Sequence, residues 1–351
     1  MNTGIICEFN PFHAGHRYLI EQAKKNGGSV VCIMSGNFVQ RGDVAVYDKF
    51  KRTRAALEGG ADLVIELPAE QALLSAEGFA RSAVRLAESL GVIDRLAFGA
   101  ENDDAQELKK TAFLLKNRET QEQIKTEMKN GLSYPAARSK VLKSDILDYP
   151  NNILACEYIK ETNLPFTAIK RIGKGHDTDD LQYSATAIRE TLSADETASL
   201  SNCETAVLYK LRTMKKEDFL KIADVNEGLE NRLYDAAGKA QSLDEFLLSV
   251  KSKRYTLSRI RRITLRAFLG MEGSSCEVPV IRVLGFNARG RTLLSEIKAN
   301  CKKPIITKLS DCDDDVLPYF VKQCEYTDIY ALAYKEPLPR GTEQRSQIVV
   351  I

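Results

Sequence analysis

Short apolar runs alternate with helical spacings through the first hundred residues. Residues 4–7 are apolar and give way to the polar Glu8. From Gly15 onward His16, Leu19, Ile20 and Ala23 recur at spacings of three and four, which predicts an amphipathic helix. Residues 29–34, centred on Val30, Val31, Cys32 and Ile33, predict a buried second strand. Residues 48–57 read as a helix, 61–67 as a third strand, 75–90 as a long helix and 93–98 as a fourth strand running into Gly99. This alternation implies an α/β fold, a parallel sheet with helices on both faces. Residues 103–147 are charged and helical and read as an insertion over the sheet. Residues 151–161 add a helix, and 166–171 resume the sheet.

Near residue 195 the pattern changes. Residues 202–270 are helical throughout, and 278–284, 288–298 and 304–307 suggest a small strand–helix–strand unit. From 336 onward Pro, Arg, Gly, Gln and Ser follow no period. The expected organisation is a catalytic domain over 1–195, a mostly helical domain over 196–335 carrying the small unit, and a loose or weakly docked tail over 336–351.

Composition narrows the classes. With 44% hydrophobic and 28% charged residues, the 351-residue chain is an ordinary globular one with room for two domains. No run reaches 18 apolar residues, so no membrane partner is expected. The N-terminal stretch lacks the basic lead of a signal peptide, which makes the cytoplasm the expected compartment. The eight Cys form no C-x-x-C pair and there are only three His, so no metal site is expected; the thiols read as reduced core residues. A net charge of +2 carries no global signal for nucleic acid, but its distribution does. Residues 251–266 hold seven Lys or Arg and no acid. On a helix, Arg259, Arg262 and Arg266 share one side, away from Leu257, Ile260, Thr264 and Ala267. Salt-bridged surface helices mix signs, so this stripe, with Lys251, Lys253 and Arg254, points to RNA phosphates. Tyr255 is placed to stack a splayed base.

The chemistry concentrates at His13-Ala14-Gly15-His16, between the first strand and the first helix. Ligands of open α/β sheets bind at the carboxyl ends of strands. A helix N-terminus offers free N–H groups and a positive dipole end. Two imidazoles at i and i+3 on one turn can both donate to phosphate oxygens and stabilise charge that builds up at an α-phosphate under attack. Helix capping and a metal pair are the competing readings of the same residues. Gly99, at the end of the fourth strand, leaves room for a nucleoside. Arg171 opens a Gly- and Lys-containing loop, and Ser184, Thr186 and Arg189 place two hydroxyls and a guanidinium at a helix start. Both are phosphate-binding arrangements.

A strand, H-x-G-H and a later S-x-T-x-x-R together resemble the nucleotidylyltransferase superfamily. The longer strings Glu8-Phe-Asn-Pro-Phe-His-Ala-Gly-His16, Met34-Ser-Gly-Asn-Phe-Val-Gln-Arg-Gly42, Ala61-Asp-Leu-Val-Ile-Glu-Leu-Pro68 and Lys253-Arg-Tyr-Thr256 resemble the bacterial tRNA(Met) cytidine acetate ligase family over nearly the whole chain. The resemblance implies a Rossmann-like nucleotidyltransferase sheet with a helical C-terminal RNA-binding region. It implies an enzyme that activates acetate with ATP, carried with Mg²⁺, as acetyl-adenylate and releases pyrophosphate. The acetyl group would then pass to the wobble cytidine of elongator tRNA(Met), giving N4-acetylcytidine and AMP. It assigns His13 and His16 to catalysis. To ATP binding it assigns the stretch Cys7, Glu8, Phe9, Asn10, Pro11, Phe12, His13, Gly15, His16 and Leu19, together with Gly99, Arg171 and one or both of Asn151 and Asn152. Phe9, Ala14 and Ala100 stand where the family tends to carry Tyr, Asn and Ser; no phosphate donor is lost by these changes.

Two other functions fit parts of the sequence. A small-molecule nucleotidyltransferase shares the H-x-G-H site but leaves the basic helical region unexplained. A non-catalytic, nucleotide-sensing RNA-binding protein explains the stripe but not the clustering of His13, His16, Arg171 and Arg189. No protein partner is expected.

Overall fold

The computed structural model describes residues 1–25, 27–101, 104–172, 185–226 and 228–351. Its centre is an eight-stranded sheet. The strands are β1 (Thr3–Cys7), β2 (Val30–Ser35), β5 (Leu63–Leu67), β6 (Arg95–Ala100), β7 (Phe166–Lys170), β8 (Ile281–Phe286), β9 (Ile305–Ile306) and β10 (Val349–Val350). Between β2 and β5 the short strands β3 (Phe38–Val39) and β4 (Asp43–Val44) form a separate hairpin. The order across the sheet is β10-β8-β5-β2-β1-β6-β7, with β9 also on β8. Every pairing in it is parallel except β5 with β8.

Alternate residues of each strand feed two cores, as pleating requires. Ile6, Val31, Ile33, Leu63 and Ile65 face one side, where Phe79, Ala83, Val84 and Leu86 of a helix over Ala76–Ser89 cover them. The helices Ala105–Lys116, Arg118–Lys129 and Tyr134–Leu142 join that core through the helix Pro150–Glu161. Ile5, Val30, Cys32, Met34 and Val64 face the other side, under α1 (Ala14–Lys24) and α2 (Lys49–Glu58). Each such aliphatic side chain, removed from water, contributes about 1.5–3 kcal/mol. A further core holds the helical region, with Val207, Leu233, Phe246, Ile260 and Leu265 fully or almost fully buried. Phe38, Val44, Ala69 and Leu73 from the first half enter that core, so the two regions are packed together.

Two expectations about the second half are corrected. The strand–helix–strand unit is not part of a separate domain: β8 runs antiparallel to β5 and widens the nucleotide-domain sheet. The tail is not loose either. β10 pairs with β8, and Glu343 is 2% exposed. Its carboxylate bonds Lys49 Nζ at 2.8 Å and Arg282 Nη2 at 3.1 Å, while Lys49 also reaches Glu66 at 2.8 Å. Two cations and two anions thus balance in the interior. Composition and period do not register this, because one carboxylate in a polar tail decides the docking.

Removing one member of a buried ion group leaves the other charges uncompensated, at a cost of about 3–5 kcal/mol. Glu343→Ala should therefore lower stability by that amount in urea unfolding. A change below about 1 kcal/mol would show that the tail is not held through this carboxylate.

Candidate active site

The sheet order reverses at β1: β2 lies on one side and β6 on the other. A crevice opens at the carboxyl ends of two such strands, where α/β sheets bind their ligands. The chain leaves β1 at Cys7, and Phe9 adopts a positive φ of 47°, which bulky residues seldom accept. It is held there by burial, with its ring 5.1 Å from Phe12 and 4.8 Å from His16. A cis Asn10–Pro11 peptide follows. Asn10 Oδ1 accepts from Val46 N at 2.8 Å, and its carbonyl accepts from Arg189 Nη1 at 2.8 Å. Arg189 also donates to Thr186 Oγ1 at 2.9 Å, so Arg189 joins Thr186 to the first motif. Ser184 lies outside the described residues.

His13 caps α1. Its Nδ1 accepts from Gly15 N at 3.0 Å, and its own N–H donates to His16 Nδ1 at 3.3 Å. Both rings therefore accept through Nδ1, which assigns the Nε2–H tautomer to each and leaves Nε2–H as its donor. The rings stack at 3.7 Å. Burial, then the Arg171 and Arg189 guanidiniums, lower the His13 pKa to about 4. Burial, His13 and Arg171 hold His16 well below its ordinary value. Two neutral, oriented N–H donors at a helix N-terminus suit a polyanion. Capping and anion binding are not rivals here, since capping uses Nδ1 and spares Nε2.

Across the crevice, Asn151 Nδ2 donates to Glu101 Oε1, Asn152 N donates to Glu101 Oε2 at 3.1 Å, and Glu101 N donates to Asn152 Oδ1 at 2.9 Å. Asn152 is 1% exposed and Asn151 half-buried. Asn152 thus secures the end of β6, and Asn151 is the more accessible of the two. Arg171 N donates to Ala100 O at 3.1 Å, and a Cβ on Gly99 would lie 3.4 Å from Arg171 Cγ. Cys7, Phe12 and Leu19 are partly buried against the core beneath α1. Burial and the neighbouring Cys32 push the Cys7 thiol up, which makes it a poor nucleophile. Glu8 Oε1 accepts from Gln40 N at 2.6 Å, and burial raises its pKa.

Arg52, near the start of α2, is 1% exposed. Its guanidinium donates to Glu8 O at 2.6 Å, Ser35 O at 3.1 Å, Tyr47 O at 2.9 Å and Gly36 O. It ties the ends of β1 and β2 together beneath the crevice. A polar residue on the side of α2 that carries Lys49, Thr53 and Ala56 was the available signal.

The basic stripe is also corrected. Arg262 is 7% exposed, with Nη2 3.6 Å from Asp224, and Arg266 is 1% exposed and donates to Glu70 O at 2.8 Å and Gly273 O at 2.6 Å. Arg259 donates to Asp224 O at 2.7 and 3.0 Å and lies over the buried Tyr255 ring. These side chains bind the helix Leu257–Leu269 to its neighbours; Arg262 and Arg266 are buried and Arg259 is half-buried. Their partners are one distant acid, the Asn226 side-chain carbonyl and backbone carbonyls, which the local absence of acids could not reveal. Lys251, Lys253 and Arg254 are exposed.

A nucleotide-type sheet whose first helix begins on paired neutral imidazoles defines a nucleotidyltransferase. The chain matches the HIGH Nucleotidyl Transferase family model over residues 1–345. Within that class it belongs to the tRNA(Met) cytidine acetate ligase family. The ligase of that name from Acetivibrio thermocellus is 35% identical over 99% of this chain and 99% of its own length. The one from Thermoanaerobacter sp. (strain X514) is 38% identical over 97% of each. The crystal structure of apo Thermotoga maritima TmcAL superposes with a TM-score of 0.90 at 30% identity, covering 100% of this chain and 99% of that one. The same protein bound with alpha-thio ATP gives 0.85 over the same spans.

The His pair makes a pH prediction. Below pH about 6.5 the unfolded chain takes up protons that these native imidazoles refuse, so stability falls as pH drops from about 6.5 towards about 4. Above that range the two rings add no pH dependence. NMR titration should find the His13 ring changing charge near pH 4. A midpoint near 6.5 would overturn the buried, neutral assignment.

Proposed function

We propose that the protein is a cytoplasmic enzyme that acetylates the wobble cytidine of elongator tRNA(Met) at the expense of ATP. The reading is carried by the paired Nε2–H donors at the start of α1, set at the point where the sheet order reverses. Full-length similarity to ligases of that name supports the choice of substrates. An acetate oxygen attacks the α-phosphorus, the bond to pyrophosphate breaks, and acetyl-adenylate results. The cytidine N4 then attacks the carbonyl carbon, AMP leaves, and the amine's proton passes to solvent.

His13 and His16 donate to the phosphate bearing the developing charge; being neutral, they do so without first losing a proton. Arg171 and Arg189, with Thr186, supply the cationic side of the triphosphate site, and Asn151 is the amide that reaches the nucleotide. The second step asks mainly for positioning, since an acyl-adenylate is already activated. Among the described residues no group of three or more His, Cys, Asp or Glu could hold a metal. A Mg²⁺ carried with ATP would offset charge on the phosphates. No helix among the described residues is long and apolar enough to cross a membrane.

ATP–pyrophosphate exchange, with and without acetate and without RNA, tests the first step directly. His16→Ala should cut acetate-dependent exchange by about 10²-fold or more, the scale of losing one transition-state donor, while leaving tRNA affinity nearly intact. Near-normal exchange in that variant would remove His16 from the chemistry. Transfer of AMP to a small molecule in place of acetate-dependent exchange would point to an ordinary nucleotidyltransferase instead.

A further inference from the structure

With Arg262 and Arg266 turned inward, Lys251, Lys253 and Arg254 are what the basic stretch leaves exposed, and a second cationic surface lies nearer the nucleotide site. The loop between β3 and β4 stands between the nucleotide site and the helical region. Gly42 has a φ of 80°, and a Cβ on it would fall 2.4 Å from Arg262 N and 2.6 Å from Arg261 C. The loop backbone is therefore seated directly on the helix Leu257–Leu269, at a separation only glycine permits. At the other end of the loop, Gln40 N donates to Glu8 at the end of β1. A few residues thus connect the helical region to the turn that precedes His13.

Three arginines gather around this loop. Arg41 is exposed at its tip, and Arg261 is half-buried beneath it. Arg189 is anchored on Asn10 O of the nucleotide turn. They share a common field: Arg261 and Arg189 act on Asp43, while Arg41 and Arg189 act on Glu8 and on each other. Burial raises the pKa of both Glu8 and Asp43. Arg52 adds a fourth guanidinium, although its donors are taken up by carbonyls. Among the described residues, Arg41, Arg189 and Arg261 stand with Glu8, Asp43 and Glu190 at a rim beside the site where an acyl group would be handed over.

We propose that Arg41 and Arg261, on and under the Gln40–Gly42 loop, grip backbone phosphates of the RNA strand that carries the acceptor nucleotide. This rests on the ligase reading above and adds where its RNA enters. Because the loop touches both Glu8 and the helix Leu257–Leu269, phosphates held there place the adjoining nucleotide at the crevice mouth. Recognition of this kind is by charge and is independent of base sequence.

The test uses the full-length protein, an unmodified elongator tRNA(Met) transcript, and the variants Arg41→Gln, Arg261→Gln and their combination. Each single change should raise the tRNA Kd on the order of tenfold at low salt and reduce the slope of log K against log salt by about 1. ATP affinity and RNA-free exchange should hold within about twofold. Arg41→Lys, which keeps the charge, should recover most of the binding. A Kd and slope unchanged in the double variant would overturn the proposal while leaving acetylation by the parent protein, and so the ligase reading, in place. A loss of ATP affinity equal to the loss of tRNA affinity would also overturn it, by giving the cluster to the triphosphate. A parent protein that neither binds nor acetylates this transcript would remove the ligase reading, and this proposal with it.

Discussion

A guanidinium almost cut off from water sets the geometry of the crevice. Arg52 is charged, and its hydrogen bonds run to backbone carbonyls. A charge in that position is tolerable only if those carbonyls stay where they are. Two lie at the end of β2, one just past β1 and one before α2, so the ends of adjacent strands are fixed to one planar group. The turn from Glu8 to His13 starts from that fixed point. The positive φ of Phe9, the Asn10 bridges to Val46 and Arg189, and the imidazole cap are then built outward from it.

Arg52 needs α2 held in place, and α2 is held by charge as well as by packing. Asp48 caps it by accepting from Phe50 N and Lys51 N. One residue later, Lys49 joins Glu66 of β5 and Glu343 of the tail, and Arg282 of β8 completes the group. On the opposite edge of β5, Asp62 accepts from Val30 N and from Asn287 Nδ2. The nucleotide-binding half is thus fastened by residues from the last quarter of the chain, and a division at residue 195 does not describe how the molecule is held together.

Much of the first half was legible in the sequence because its determinants are local. Runs such as Val30–Ile33 are buried on both faces and show as unbroken apolar stretches. His13 and His16 announce themselves by their place between a strand and a helix. What could not be read depends on distant partners. Arg259, Arg262 and Arg266 do share a side of their helix, but Asp224 and the carbonyls of Glu70 and Gly273 occupy that side. Glu343 looks like one more charge in a polar tail until Lys49 and Arg282 are placed beside it. Asn151 and Asn152 likewise both bond to Glu101, which lies fifty residues from Asn151.

The position of Glu343 also bears on synthesis. It emerges from the ribosome after every element it steadies, and β5 waits for β8, with Asn287 just beyond that strand lying 225 residues on from Asp62. Until then the nascent nucleotide half has an open sheet edge, the kind of surface that invites mispairing. It also has Lys49 short of one of its two carboxylates. A chain ended early would carry the whole H-x-G-H motif and still lack the counter-charge beneath α2. Such fragments would be poorly closed and open to proteolysis, so the capacity to consume ATP would be confined to chains translated through the last strand.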